Sequence, residues 1–186
     1  MATGSSRTSD SGPTPHLAVD VEPQKDTQTV TATGRPLQDL IDGVRVRPAK
    51  TITDERGTVC EIYSPSWDFT EEPLIYAYQV TVRPGVVKGW VVHLHQDDRL
   101  FFSSGTAKVV LWDARESSPT MGMINEIYFD ESNRGLLRIP RGVFHAVCNV
   151  GSADMLMVNL PTRPYDHENP DKYRLPRDTD AIPYEL

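Results

Sequence analysis

Apolar and polar positions alternate in short runs along most of this chain, and clusters of turn residues separate the runs. In Ile75–Val82, the residues Ile75, Ala77, Gln79 and Thr81 oppose Tyr76, Tyr78, Val80 and Val82, which is the period of a strand with one wetter face. Further β-rich runs are Val86–His95, Leu100–Phe102, Ala107–Trp112, Ile124–Phe129, Leu136–Ile139, His145–Val150 and Met155–Leu160. Between them lie turn clusters such as Arg83-Pro84-Gly85, Ser103-Ser104-Gly105 and Pro140-Arg141-Gly142. Eight short strands at this spacing predict an all-β antiparallel sandwich or barrel. Leu37–Val44 has the pattern of one or two helical turns, and after it almost nothing reads as helix.

Residues 1–36 have no sustained period and are rich in Ser, Thr, Gly, Pro and Asp. Such a stretch buries too little apolar area to offset the entropy of ordering, so it is expected to be a disordered tail. Residues 37–186 then form one domain. From Thr162 onward the chain is rich in Pro, Asp, Tyr and Arg, and Tyr165, Tyr173, Leu175, Ile182 and Tyr184 give it anchors for an extended wrap around the body.

With 186 residues the chain can build one compact core. A net charge of −7 excludes a broad basic footprint for nucleic acid, though a local arginine cluster could still hold an anionic small molecule. Cys60 and Cys148 are too few for a disulfide scaffold and lack CxxC spacing. Without an 18-residue apolar run or a basic-then-apolar start, the expectation is a soluble cytoplasmic protein with no membrane partner.

The candidate chemistry sits in the β-rich body. His93 and His95, two apart on an expected strand, would share a face. A second stretch places Gly135, Pro140, Gly142, His145 and Asn149 in the order G-x(4)-P-x-G-x-x-H-x-x-x-N. That stretch resembles the second cupin signature. His93-Leu94-His95, then Asp98 and Gly105, resembles the first, with Asp98 where many members carry Glu. The resemblance implies a double-stranded β-helix, or jelly-roll barrel, with its site in the mouth.

A finer resemblance runs from about Thr53 to the C-terminus. Asp54-Glu55-Arg56-Gly57 with Glu61, Val86-Val87-Lys88-Gly89, Asp113-Ala114-Arg115 followed by Ser118-Pro119-Thr120, and Ile139–His145 resemble motifs of the dTDP-4-dehydrorhamnose 3,5-epimerases. What the resemblance implies is proton abstraction beside the 4-keto group of a dTDP-4-keto-6-deoxyhexose, without a cofactor. Such chemistry needs a base, a donor to the enolate oxygen and cations for the pyrophosphate. The family's base position falls on Val91 and its tyrosine acid about on Met157. His93 is therefore the expected base, Asp113 its orienting carboxylate, His145 an assistant and Tyr165 a substitute acid. Arg56, Lys88, Arg99 and Arg138 are the expected pyrophosphate ligands, since cations, above all guanidinium groups, suit phosphate oxygens, and Glu61 of the opening motif is a further expected substrate-binding residue.

His93-Leu94-His95 also resembles the H-A-H of dTDP-sugar 3,4-ketoisomerases, where paired histidines move protons between neighbouring carbons. Two other readings stay open. His93, His95, Asp98 and His145 are a donor set for a divalent metal in an oxygenase or isomerase. A non-catalytic nucleotide-sugar-binding cupin would keep the barrel without the chemistry. The expected partner is a small nucleotide-sugar substrate, and a homodimer would form through Trp67, Phe69 and Leu74.

Overall fold

The structure is a computed structural model that describes Ala18, residues 20–33 and residues 36–186. Its contacts divide the chain into two units, Met1–Gln38 and Asp39–Leu186. In the first, Val30 bridges to Pro36, and the Leu37 N–H donates to the Thr29 carbonyl at 2.9 Å. The tail expected over residues 1–36 falls in large part on residues 1–17, 19, 34 and 35, which lie outside the described residues.

The second unit is built from strands. In chain order they are β1 (Arg45–Pro48), β2 (Thr51–Asp54), β3 (Gly57–Cys60), β4 (Tyr78–Val82), β5 (Val87–Val92), β6 (Asp98–Ser104), β7 (Ala107–Asp113), β8 (Ile124–Phe129), β9 (Gly135–Ile139), β10 (Val143–Asn149), β11 (Met155–Asn159) and β12 (Tyr173–Arg174). Two five-stranded antiparallel sheets, ordered β1-β9-β6-β11-β4 and β12-β5-β10-β7-β8, make the two walls of a jelly-roll barrel, and β2 and β3 form a separate hairpin. One short 3₁₀ turn, Pro65–Trp67, interrupts the β pattern.

Alternation along each strand decides what is buried where. Val109 and Leu111 of β7 meet Leu100 and Phe102 of β6 and Leu137 of β9 between the walls. Phe102 stacks on Phe129 with ring centroids 4.6 Å apart. The outer face of the second sheet carries Trp90, Val110 and Ala146, which the C-terminal segment covers with Ile182, Leu175 and Tyr184. Phe101 and Leu136 on the outer face of the first sheet are covered by Phe69 and Leu160. Each full burial of this kind contributes roughly 1.5–3 kcal/mol. Trp67 and Phe69 therefore serve this internal cluster, and Leu74 is the exposed member of the trio expected at a dimer interface.

Three expectations need correction. Leu37–Val44 is not helical: the Ile41 N–H goes to the Asn125 side chain, and the chain turns at Gly43 with φ +80°. β1, β2 and β3 are absent from the expected strands because each is four residues long, too short for a sustained alternation to show. Strand β5 stops at Val92 instead of running on to His95, since the Asp171 carboxylate takes the N–H groups of Leu94, His95 and Gln96.

Candidate active site

Two adjoining cavities open at one end of the barrel. The inner one, about 190 Å³, is walled by Val80, Val91, Leu100, Val147 and Met157, with His93, Asp98 and His145 among its polar groups. The outer cleft, also about 190 Å³, includes Tyr76, His95, Arg163, Tyr165 and Asp171. Tyr78, His93 and Lys172 line both.

Local sequence explains how the histidines arrive there. Gly142, in the left-handed region at φ +80°, closes the turn before β10, and its N–H donates to the His93 carbonyl at 2.8 Å. His145 follows on β10, paired in register with Val91 of β5. At Gly89 a Cβ would lie 2.4 Å from the Ala146 Cβ, so only glycine lets β5 approach β10 so closely. Asn149 then ties the end of β10, donating to the carbonyls of Val82 and Ala153. The signature residues Gly142 and Asn149 thus hold the backbone on either side of His145.

At the centre, His93 Nε2 lies 3.3 Å and His145 Nε2 lies 3.6 Å from the same Asp98 oxygen. The other His93 nitrogen, Nδ1, hydrogen-bonds the Asp171 main-chain carbonyl, which makes Nδ1 the donor there. Burial alone would lower the His93 pKa, but the bond to Asp98, its charge and the Asp171 carbonyl outweigh it and raise the value. Burial would likewise raise Asp98, yet His93 above all, then His145 and Asn159, hold it well below the usual carboxylate range. His145 goes the other way. Its burial wins over the Asp98 charge, and its pKa falls to about 4, leaving a neutral ring.

Several expected site residues lie elsewhere. Asp113 does not orient His93. Its carboxylate accepts from Arg115 Nε at 2.8 Å, Ser118 Oγ at 2.5 Å and Thr120 Oγ1 at 2.7 Å, so D-x-R with S-P-T knots the loop after β7. Arg99 is buried and is no phosphate ligand. All five of its guanidinium N–H groups are taken, by the carbonyls of Leu160, Glu72, Pro73 and Pro161 and by the Thr70 hydroxyl. Arg138 is spent on Asp97 at 2.7 Å. Arg56 sits exposed at the β2–β3 turn, paired with Asp54, and Glu61 lines a separate groove with Arg47 and Trp67. Tyr165 is in the outer cleft, its ring edge-on to His167. Cys148 is buried with a raised pKa, as suits a small core residue.

The set foreseen for a metal loses one member. His93, Asp98 and His145 each offer an atom within 4.8 Å of the others, whereas His95 is exposed beyond the end of β5. Lys88 lines the inner cavity, and Lys172 and Arg174 from the C-terminal segment join it. Burial, then the charges of Arg174 and Lys88, lower the Lys172 pKa against the pull of Asp98. Sequence reading missed Tyr78, Asp171, Lys172 and Arg174. The alternation of Ile75–Val82 pointed to Tyr78's face, but no local signal joins residues 171–174 to the cavity.

The chain and its fold are similar to known proteins. A family profile described as dTDP-4-dehydrorhamnose 3,5-epimerase matches residues 38–184. The probable low-salt glycan biosynthesis epimerase Agl13 of Haloferax volcanii is 37% identical over 140 residues, covering 74% of this chain and 89% of its own. The spore coat polysaccharide biosynthesis protein SpsL of Bacillus subtilis is 35% identical over 143 residues, covering 77% and 94%. Among solved structures, a dTDP sugar isomerase from Desulfovibrio desulfuricans G20 superposes with a TM-score of 0.73 at 27% identity, covering 78% of this chain and 91% of that one. The profile match over residues 38–184, with relatives more than a third identical over about three quarters of the chain, shows that the chain belongs to the dTDP-4-dehydrorhamnose 3,5-epimerase family.

Proposed function

We propose that this nucleotide-sugar epimerase acts beside the keto group of a dTDP-4-keto-6-deoxyhexose, with His93 as its general base. The observation that carries the reading is the His93–Asp98 pair. Nδ1 is committed to the Asp171 carbonyl, so Nε2 is the atom left to exchange a proton at the cavity. Asp98, 3.3 Å away, stabilises the imidazolium that forms. The family's reaction needs no cofactor, and His93, Asp98 and His145 are read as a proton-handling group.

The enolate oxygen needs a cation or donor beside it. Lys172 lines both cavities and feels the Asp98 charge, which suits that task. Lys88 and Arg174 are the partners for the substrate's phosphates, replacing Arg99 and Arg138 in that role. His93→Gln is expected to abolish turnover while leaving the fold and dTDP binding intact. Wild-type turnover in that variant overturns the reading.

The same reading places the enzyme in the cytoplasm, with a nucleotide-sugar substrate, as a homodimer. Ile52 and Val59 face each other across the β2–β3 hairpin and are 63% and 67% exposed. A two-stranded hairpin with an apolar face is marginal by itself, so a second copy is the cover proposed. A double Ile52→Asp, Val59→Asp variant should sediment as a monomer; an unchanged dimer would rule this face out.

A further inference from the structure

We propose that Tyr78 is the acid of this site, returning a proton to carbon on the face opposite the one His93 serves. The inference deepens the epimerase reading and rests on it. Inversion at a carbon needs two proton-handling groups on opposite sides of the bound substrate. His93 follows β5, in one wall of the barrel, whereas Tyr78 opens β4, in the other. Both line the two cavities, so both address the space where these join.

The hydrogen bonding around the phenol sets its direction of donation. Asn159, 2% exposed at the end of β11 and paired in register with Tyr78, accepts the Arg99 main-chain N–H on its Oδ1 at 3.3 Å. That fixes the amide, and its Nδ2 must then be the donor to Tyr78 Oη at 2.9 Å. A phenol oxygen that accepts keeps its own O–H free, and among the described residues it makes no other hydrogen bond. Burial, with the Asp98 charge adding to it, pushes the Tyr78 pKa up to about 12, so the group stays protonated at neutral pH. Arg99, whose side chain is locked by five hydrogen bonds, gives the Asn159 amide a rigid support.

The step balances without any added reactant. His93 Nε2 takes the proton from the carbon beside the ketone, and the C–H electrons pass into the enolate. Tyr78 O–H then gives its proton to that carbon from the other side as the enolate returns to the ketone. The phenolate left behind accepts from Asn159 Nδ2–H, and water in the cleft carries the His93 proton back to it.

The test is Tyr78→Phe, which keeps the ring and removes the hydroxyl, assayed by proton NMR in D₂O on dTDP-4-keto-6-deoxyglucose. Formation of the inverted product should fall by about 10²–10⁴-fold. Deuterium should still enter recovered substrate of unchanged configuration, because the His93 proton exchanges with solvent and returns on its own side. Melting temperature and dTDP affinity should match the wild type. Inversion at the wild-type rate overturns the assignment, as does loss of both exchange and inversion in a folded, dTDP-binding variant. So does loss of inversion in Tyr165→Phe with inversion retained in Tyr78→Phe. If the wild-type protein exchanges no substrate proton, the epimerase reading fails first and the Tyr78 assignment with it, a result distinct from the others.

Discussion

Asp171 holds the loop around His93 with both ends of itself: its main-chain carbonyl accepts from His93 Nδ1, while its carboxylate accepts the N–H groups of Leu94, His95 and Gln96 at 2.9, 2.7 and 3.1 Å. The candidate base is thereby set by a residue nearly eighty positions away. Asp171→Ala leaves the carbonyl but releases the loop, and a misplacement on the order of 1 Å costs about 10²-fold in rate. The account expects kcat to fall by that order, with dTDP affinity within a few-fold of wild type. Unchanged kcat would show that the loop keeps its place without this clamp.

The pH profile follows from the same centre. Asp98 and Asp171 raise the His93 pKa, and a general base must be unprotonated, so kcat/KM should rise with pH along a limb whose midpoint lies above 6.5. Asp98→Asn removes the largest cause of that rise and should move the limb to lower pH while reducing the maximum. A limb at or below 6.5 in the wild type, or one that Asp98→Asn does not move, contradicts the His93–Asp98 pairing.

Substrate affinity should depend on Lys88 and Arg174, the cations that line the inner cavity. Hydrogen bonds to charged groups are worth enough that Lys88→Gln and Arg174→Gln should each weaken dTDP binding by about tenfold or more. The deficit should shrink as salt rises. Calorimetric titration at two ionic strengths checks this, and unaltered affinity in both variants would place the phosphates elsewhere.

Arg99 separates structural from substrate-binding arginines. Removing a buried guanidinium that satisfies five acceptors should cost about 3–5 kcal/mol in urea unfolding for Arg99→Met. If stability is untouched and dTDP affinity drops, Arg99 is a ligand after all.

What the sequence revealed and what it concealed divide along local and non-local lines. The turn at Gly142, the strand carrying His145 and the cap at Asn149 are legible because their residues form one contiguous signature, although the bonds of Gly142 to His93 and of Asn149 to Val82 are long-range. His95 was misjudged because period-two reasoning assumes that the strand continues, and a side chain from residue 171 ends it at Val92. Asp113 reads as functional because its D-x-R motif resembles that of the family, and Arg99 because a guanidinium suits phosphate; neither signal names the partner that the side chain finds in the fold. Asp113 spends its carboxylate within seven residues, and Arg99 reaches carbonyls about 26 and 62 positions away. Tyr78 was placed on the right strand, yet its hydrogen bond to Asn159 joins positions 81 apart. Lys172 and Arg174 arrive from a Pro- and Asp-rich segment whose contacts with the cavity only the folded chain reveals.

The central claim is that His93 removes a proton from the carbon next to a sugar ketone. Proton NMR of dTDP-4-keto-6-deoxyglucose in D₂O tests it most directly, with wild-type protein beside His93→Gln. The account expects the wild type to erase the signal of H3, of H5 or of both, and His93→Gln to leave them in place. Signals that persist with the wild-type protein, or vanish equally fast with His93→Gln, would contradict it.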